Sequence, residues 1–148
     1  MNNVIVGRIC IIRYSLFTFR YSLKKELIMD SPLLDKALHF AARIVKLCQY
    51  LQKEQKETII SKQILRSGTS IGANANEAAY GVSTADFIAK LQISLKETAE
   101  TEYWLRLLIL TEYIEKSHGE SMLSDCLEIK RILISSLNTA KKKQENRK

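Results

Sequence analysis

The chain has 148 residues, of which 46% are apolar and 26% charged, with one proline, five glycines and three cysteines. This composition is typical of one soluble globular domain, and the length allows a core that needs no disulfide or metal. An odd number of cysteines favours a reducing compartment over a disulfide framework. Arginines interrupt the apolar N-terminus, so no membrane span is expected.

The net charge of +7 is concentrated at the two ends of the chain. Residues 1–28 and residues 140–148 each carry a net charge of +4, whereas residues 29–139 carry −1. A basic end is typical of a solvated, solubilising segment, but a lysine cluster can also contact phosphates by releasing counterions. The candidate nucleic-acid contacts are therefore the basic residues of the predicted C-terminal tail, residues 141–148: Lys141, Lys142, Lys143, Arg147 and Lys148.

Residues 1–28 differ from the rest of the chain because they lack a helical period. Val4–Ile12 is an apolar run that Gly7 and Arg8 break, which does not fit the uninterrupted apolar centre of a signal peptide. We interpret the segment as an appended one outside the fold, upstream of an internal start at Met29.

Four helices are predicted between residues 29 and 140. Ser31 and Pro32 form an N-cap and a first helical position, and Gly81 is predicted as a left-handed C-terminal residue of the second helix. Ser83 and Asp86 have the spacing of a capping box, the third helix extends to about Ile114, and Gly119 is expected to break the chain before a last helix from Ser121. The apolar positions at helical spacing predict these buried residues: Leu34, Ile44, Leu51, Ile64, Ile71, Leu91, Leu95, Leu105, Leu127 and Leu137.

Short connections between helices, without strand hairpins in residues 29–140, predict an all-α fold, an antiparallel up-and-down four-helix bundle. Gly68 and Gly72 fall inside the second helix, where each costs about 1 kcal/mol relative to alanine. Because no phosphate-binding loop motif surrounds them, we interpret them as sites of close helix packing.

A polar stripe accompanies the glycines on the second helix: Arg66, Ser70, Asn74 and Glu77. Such a stripe can face solvent, bind a ligand or form a partly buried network. We favour a structural polar network in which Arg66 meets Glu97 or Glu100 of the third helix. Tyr103 and Trp104 of the third helix are predicted to contribute to an oligomer interface, because aromatic residues often anchor interfaces.

No set of residues predicts catalysis. Arginine and carboxylates without a nucleophile, a placed histidine or a metal set define no reaction class. The Glu-x-x-His spacing of a di-iron bundle occurs once, at Glu115 and His118, whereas such a bundle needs two of these pairs. We therefore interpret His118 as a cation at a helix C-terminus. Catalytic residues, a metal and a cofactor are therefore not expected, and the protein is predicted not to be an enzyme.

Several short sequence segments resemble those of the 23S rRNA intervening-sequence proteins, which are four-helix bundles encoded within bacterial large-subunit ribosomal RNA genes. The matching segments span residues 29–115 and are Ser31-Pro32-Leu33-Leu34-Asp35-Lys36, Phe40-Ala41, Ile44-Val45, Leu65-Arg66-Ser67-Gly68-Thr69-Ser70-Ile71-Gly72-Ala73-Asn74, Glu77-Ala78, Asp86-Phe87, Lys90-Leu91, Glu97-Thr98 and Glu102-Tyr103-Trp104-Leu105. This family also resembles the accessory variability determinant of diversity-generating retroelements.

The resemblance implies a small cytoplasmic bacterial protein without known catalytic residues, which self-associates into a homo-oligomer, a ring such as a pentamer. It also implies structured RNA or DNA as a ligand and a protein partner such as a reverse transcriptase. Three classes stay open at this point: a nucleic-acid-binding accessory protein, a protein-interaction scaffold without a nucleic-acid role, and an unrecognised enzyme.

Overall fold

A computed structural model of the chain describes residues 31–146, so the expectations for residues 1–28, Arg147 and Lys148 lie outside the described residues. Within that range the chain forms four helices and no strand. They are α1 (Pro32–Lys53), α2 (Ile60–Ala79), α3 (Thr84–Leu110) and α4 (Lys116–Glu145). Helices adjacent in sequence pack against each other and α4 returns to α1. The predicted antiparallel up-and-down four-helix bundle is confirmed.

The helix starts of α1 and α3 follow the predicted capping chemistry. The Ser31 hydroxyl accepts a hydrogen bond from the backbone N–H of Leu33 at 3.3 Å. At α3, the Ser83 hydroxyl accepts from the Asp86 N–H at 3.1 Å, and the Asp86 carboxylate accepts from the Val82 N–H at 3.1 Å. These side chains satisfy backbone donors that a helix leaves free at its N-terminus.

The start of α2 uses a cap that the helical sequence pattern does not predict. Glu57 is buried in the α1–α2 connection, and its carboxylate accepts hydrogen bonds from the backbone N–H groups of Ile59, Ile60 and Ser61 at 2.7–2.8 Å. Burial is the largest influence on the pKa of Glu57 and raises it, but the three backbone hydrogen bonds together lower that pKa below its ordinary value.

Two predicted roles of glycine are wrong. Gly81 does not have a positive φ. Instead, a Cβ atom there would lie 3.1 Å from the Phe87 backbone nitrogen, which explains why this position has no side chain. Gly119 does not break the chain, because α4 begins at Lys116 and includes it. The α3–α4 turn instead uses Glu112 in the left-handed region, at a φ of 57°.

The beginning of α4 also corrects the role of His118, which lies in the first turn of α4 and not at a helix C-terminus. The third helix ends at Leu110 rather than near Ile114, and Ile114 is buried within the connection. At the other end, α4 continues to Glu145, so residues 141–145 of the predicted tail are helical.

Seven of the ten predicted core residues are buried, and the other three are half-buried: Leu34, Leu95 and Leu127. On α1 the buried stripe is Leu33, Ala37, Phe40, Ile44, Leu47, Cys48 and Leu51. Two further apolar residues of α1, Leu38 and Val45, are 70% and 40% exposed. Apolar residues therefore cover more of α1 than the core uses.

Both glycines of α2 face α1, but the close packing predicted for them is confirmed only at Gly68. A Cβ atom at Gly68 would lie 2.9 Å from Cγ1 of Ile44, whereas a Cβ atom at Gly72 would lie 3.4 Å from Cβ of Ala37. Ile44 is β-branched and fully buried, so its side chain has little freedom to move away. Gly68 thus marks the closest approach of α1 and α2, and Gly72 leaves room for one methyl group.

We expect Gly68→Ala and Gly72→Ala to change the free energy of unfolding in opposite directions. Alanine removes about 1 kcal/mol of helix penalty at either position. At Gly68 the added methyl overpacks the core, which costs about 1–3 kcal/mol and makes the variant less stable than the wild type. At Gly72 the added methyl group fits, so the gain in helix propensity makes the variant more stable than the wild type. Urea denaturation of both variants tests this, and a Gly68→Ala variant more stable than Gly72→Ala would contradict it.

We expect Glu57→Gln to weaken the start of α2 by about 1–2 kcal/mol at neutral pH, the size of other N-cap losses. Because the pKa of Glu57 is lower in the folded protein than the ordinary 4.5, its ionised form stabilises the fold above that pH. The difference between wild type and variant should shrink as the pH falls below 4.5. Thermal unfolding at a series of pH values measures it, and a pH-independent difference would contradict this role.

Candidate functional site

The Arg66 side chain reaches both glutamates predicted for it. Its Nη2 donates to the Glu100 carboxylate, and its Nη1 lies 3.6 Å from Oε2 of Glu97. Trp104 donates its indole N–H to the same Glu100 oxygen at 3.2 Å. Burial raises the pKa of Glu100 most strongly, but hydrogen bonds from Arg66 and Trp104 together hold it below its ordinary value.

The rest of the polar stripe does not join Arg66 in one network. Asn74 donates to the backbone oxygen of Ser70 at 2.9 Å, and Glu77 pairs with Lys90 of α3. The Arg66 side chain is 55% exposed because it lies at the solvent edge of the α2–α3 interface. Its ion pair therefore has the small energy of a surface pair rather than the large one of a buried pair.

Buried hydroxyl groups connect α2 and α3 beneath this exposed edge. Thr101 donates to the Ser67 hydroxyl at 2.9 Å, and Ser94 donates to the backbone oxygen of Ile71 at 2.8 Å. Nearby, Oε2 of Glu97 is buried without a hydrogen-bond partner, because Arg66 is too distant for one. Short polar residues at helical spacing were the available sequence signal for these contacts.

The two cysteines of the described residues, Cys48 and Cys126, are buried in the core. Burial raises the pKa of the Cys48 thiol to about 11 and that of the Cys126 thiol to about 12, so both stay protonated at neutral pH. In the described part of the chain, no group of three or more His, Cys, Asp or Glu residues could hold a metal ion. A groove of about 550 Å³ between α1 and the start of α4 is lined by residues that include Arg43, Lys46 and His118.

Cations along the helix interfaces are paired with carboxylates. The Glu102 carboxylate accepts hydrogen bonds from Lys130 at 2.8 Å and from Arg106 at 2.9 Å. The hydrogen bond from Lys130 has the largest influence on the pKa of Glu102, and the two bonds together lower that pKa although burial raises it. On the α1–α4 side, Lys36 lies 3.0 Å from Glu128, and Arg43 contacts Asp125. Charge along these interfaces is therefore largely compensated.

The lysines near the end of α4 differ from these paired cations. Lys141, Lys142 and Lys143 are exposed in the last turns of the helix, and none has an ion pair with a residue in the range 31–146. Their positive charge also interacts favourably with the carbonyl end of the helix. Arg147 and Lys148, the other predicted contacts, lie outside the described residues.

The two aromatic residues predicted for an oligomer interface differ in exposure. The Tyr103 side chain is exposed, whereas Trp104 is half-buried and packs against the core. Their ring centroids are 5.0 Å apart in an edge-on arrangement. Within residues 31–146, no helix is both long enough and apolar enough to span a bilayer.

The geometry defines a helical-bundle protein with compensated charge along its helix interfaces and uncompensated lysines at one helix end. The family model of the 23S rRNA-intervening sequence protein matches residues 29–135, and the chain belongs to this family. The resemblance to that family is thereby confirmed.

A solved structure supports the same assignment. The chain is 59% identical to a protein of the S23 ribosomal protein family from Bacteroides thetaiotaomicron, described as having unknown function and solved at 1.70 Å resolution. The match has a TM-score of 0.70 and covers 71% of this chain and 97% of that one. The search of curated proteins finds no match. Neither the family description nor that of the solved structure names an enzymatic activity.

We expect Arg66→Ala to lower the free energy of unfolding only slightly, because it removes an exposed ion pair, and such pairs contribute little to stability. The loss should decrease at high salt, which screens exposed charges. Lys62→Ala on the same helix is the control, since Lys62 is exposed and has no carboxylate partner among the described residues. Equal losses in the two variants in denaturant titrations would contradict the role of the pair.

Proposed function

We propose that this chain is a non-enzymatic accessory protein that assembles into a homo-oligomer and binds nucleic acid through the lysine-rich end of α4. The observation that carries the proposal is the exposure of Lys141, Lys142 and Lys143 without a carboxylate partner in the described residues. Uncompensated cations at one place attract a phosphate backbone and release its counterions. Cations that are already paired with carboxylates, such as Lys130 and Arg106, gain less from such a contact.

Self-association is supported by the outer face of α1. Leu38 and Val45 are exposed there, and Leu34 and Ala41 beside them are only half-buried. An apolar stripe on the solvent side of a helix favours burial against another chain. Tyr103, with Trp104 behind it, supplies a second apolar surface on α3.

Oligomerisation would multiply a weak electrostatic contact. Each subunit repeats the lysine-rich end, so a ring such as a pentamer presents five copies to one nucleic acid, and linked weak contacts give a much higher avidity. The family description names an intervening sequence of 23S rRNA, which makes structured RNA the first ligand to test. A cytoplasmic, bacterial setting belongs to the same proposal.

The second candidate function is a protein-interaction scaffold with no nucleic-acid role. The exposed face of α1 favours it, because a different protein could cover Leu38 and Val45. A reverse transcriptase is the partner that a resemblance to retroelement proteins would imply. A scaffold of this kind would bind its partner without a strong dependence on salt, whereas phosphate binding depends strongly on it.

We expect replacement of Lys141, Lys142 and Lys143 by glutamine to abolish or strongly weaken binding of a labelled structured RNA. The slope of log affinity against log salt should fall by about one for each lysine that contacts a phosphate. Substitution keeps the helical residues of α4, which deletion of residues 141–148 would remove. Anisotropy titrations at several salt concentrations provide the measurement.

The matched control replaces three exposed lysines at the opposite end of the bundle, Lys53, Lys56 and Lys62, and removes the same charge. Light scattering should give the same oligomer mass for both variants and the wild type. Undiminished RNA binding by the α4 variant, or a monomeric wild type at micromolar concentration, would overturn the proposal.

A further inference from the structure

We propose that the outer face of α4 forms a binding surface for the phosphate backbone of a duplex nucleic acid. This surface, the α4 ridge, consists of Arg131, Ser135, Asn138 and Lys142. The proposal rests on the nucleic-acid binding proposed above, extends it from the helix end into the body of the bundle and specifies a duplex as the ligand.

The four side chains share one face of the helix. Their spacing is four, three and four residues, which places successive members about one turn apart. All four are exposed, and the opposite side of α4 carries the buried residues Ile129, Leu133, Leu137 and Ala140. Lys142 lies eleven positions after Arg131, so the ridge is about 16 Å long at 1.5 Å per residue.

The ridge lies in a part of α4 without acidic residues. From residue 129 to residue 144 the sequence contains five lysines or arginines and no Asp or Glu. Of these five cations, Lys130 is engaged by Glu102, and Glu128 just before the segment is engaged by Lys36. Arg131 has no ion pair with any residue of the described range 31–146. The two cations of the ridge, Arg131 and Lys142, therefore have no ion-pair partner among the described residues.

The chemistry of the ridge matches a phosphate backbone. Arginine and lysine supply charge, and serine and asparagine supply neutral hydrogen-bond donors, a combination that contacts phosphate and sugar oxygens. Proteins that bind single strands also stack bases on aromatic side chains. The sequence of α4, Lys116–Glu145, contains no Phe, Tyr or Trp. The ridge thus favours a duplex, whose bases are already stacked, over a single strand.

The position of Arg131 distinguishes nucleic-acid binding from a purely structural role of the basic residues. Lys142 and Lys143 lie in the last turn of α4, where they stabilise the helix C-terminus whatever else they contact. Arg131 lies about four turns before the helix end, and the interaction with the helix dipole falls off within the last turn. A contribution of Arg131 to binding is therefore a direct sign of the ridge.

The experiment compares the double variant Arg131→Gln, Lys142→Gln with the control Lys62→Gln, Lys96→Gln, which removes two exposed cations from α2 and α3. Anisotropy titrations use a short RNA duplex, a DNA duplex and one of the RNA strands alone. We expect the ridge variant to bind duplexes about tenfold or more weakly, with a salt slope reduced by about two. The control should retain wild-type affinity.

The single variant Arg131→Gln distinguishes the ridge from the lysine-rich end. If it binds duplexes as the wild type does while the triple lysine variant does not, the ridge is overturned and the proposed function stands. If the wild type binds no nucleic acid, both are overturned.

The ligand class has its own outcomes. Tighter binding of the single strand than of the duplex, or equal binding of anionic vesicles, would overturn the assignment of a duplex. Equal weakening for RNA and DNA duplexes supports a backbone contact common to both, and weakening for RNA alone supports an RNA duplex as the ligand. Unchanged helical circular dichroism of the double variant confirms that the loss reflects binding and not folding.

Discussion

The close approach of α1 and α2 at Gly68 is the constraint on which the arrangement of the bundle depends. No side chain fits between Gly68 and Ile44, so the two helices are held at a distance that only glycine permits. On its other side, α2 joins α3 through the short hydroxyl side chains of Ser67 and Thr101. One helix with small residues on two faces thereby fixes the positions of both of its neighbours.

The consequence of this packing is a particular distribution of charge. The helix interfaces bring opposite charges together at their solvent edges, as in the pairs of Arg66 with Glu100 and of Lys130 with Glu102. Residues 129–144 of α4 contribute five cations and no acidic residue, and of these cations only Lys130 is paired across an interface. A chain with nearly neutral residues 29–139 therefore has a localised basic surface, which composition alone does not reveal.

Helical periodicity predicted the four helices, because each has a sustained apolar stripe and α1 and α3 have recognisable caps. It did not identify the buried face of α1, since Leu38 and Val45 fit an apolar stripe as well as Leu33 and Leu47 do. The absence of a side chain at Gly81 is explained by the nearby Phe87 backbone, and that at Gly119 by the nearby Ile109 side chain. The cap of α2 comes from Glu57, whose position depends on the conformation of the α1–α2 connection. Local sequence patterns contain no information about such contacts.

The polar stripe on α2 shows the same limit, because spacing placed Arg66 on the face toward α3 but could not predict how exposed it is.

The proposed nucleic-acid surface is the C-terminal part of α4, where residues 129–144 contain no Asp or Glu, and the rest of the bundle is not expected to bind nucleic acid. Hydrogen exchange measured by mass spectrometry, with and without a saturating RNA duplex, tests it most directly. We expect added protection to be confined to peptides from residues 129–145 of α4. Protection concentrated on α1 or along the α2–α3 interface, with none on α4, would contradict it.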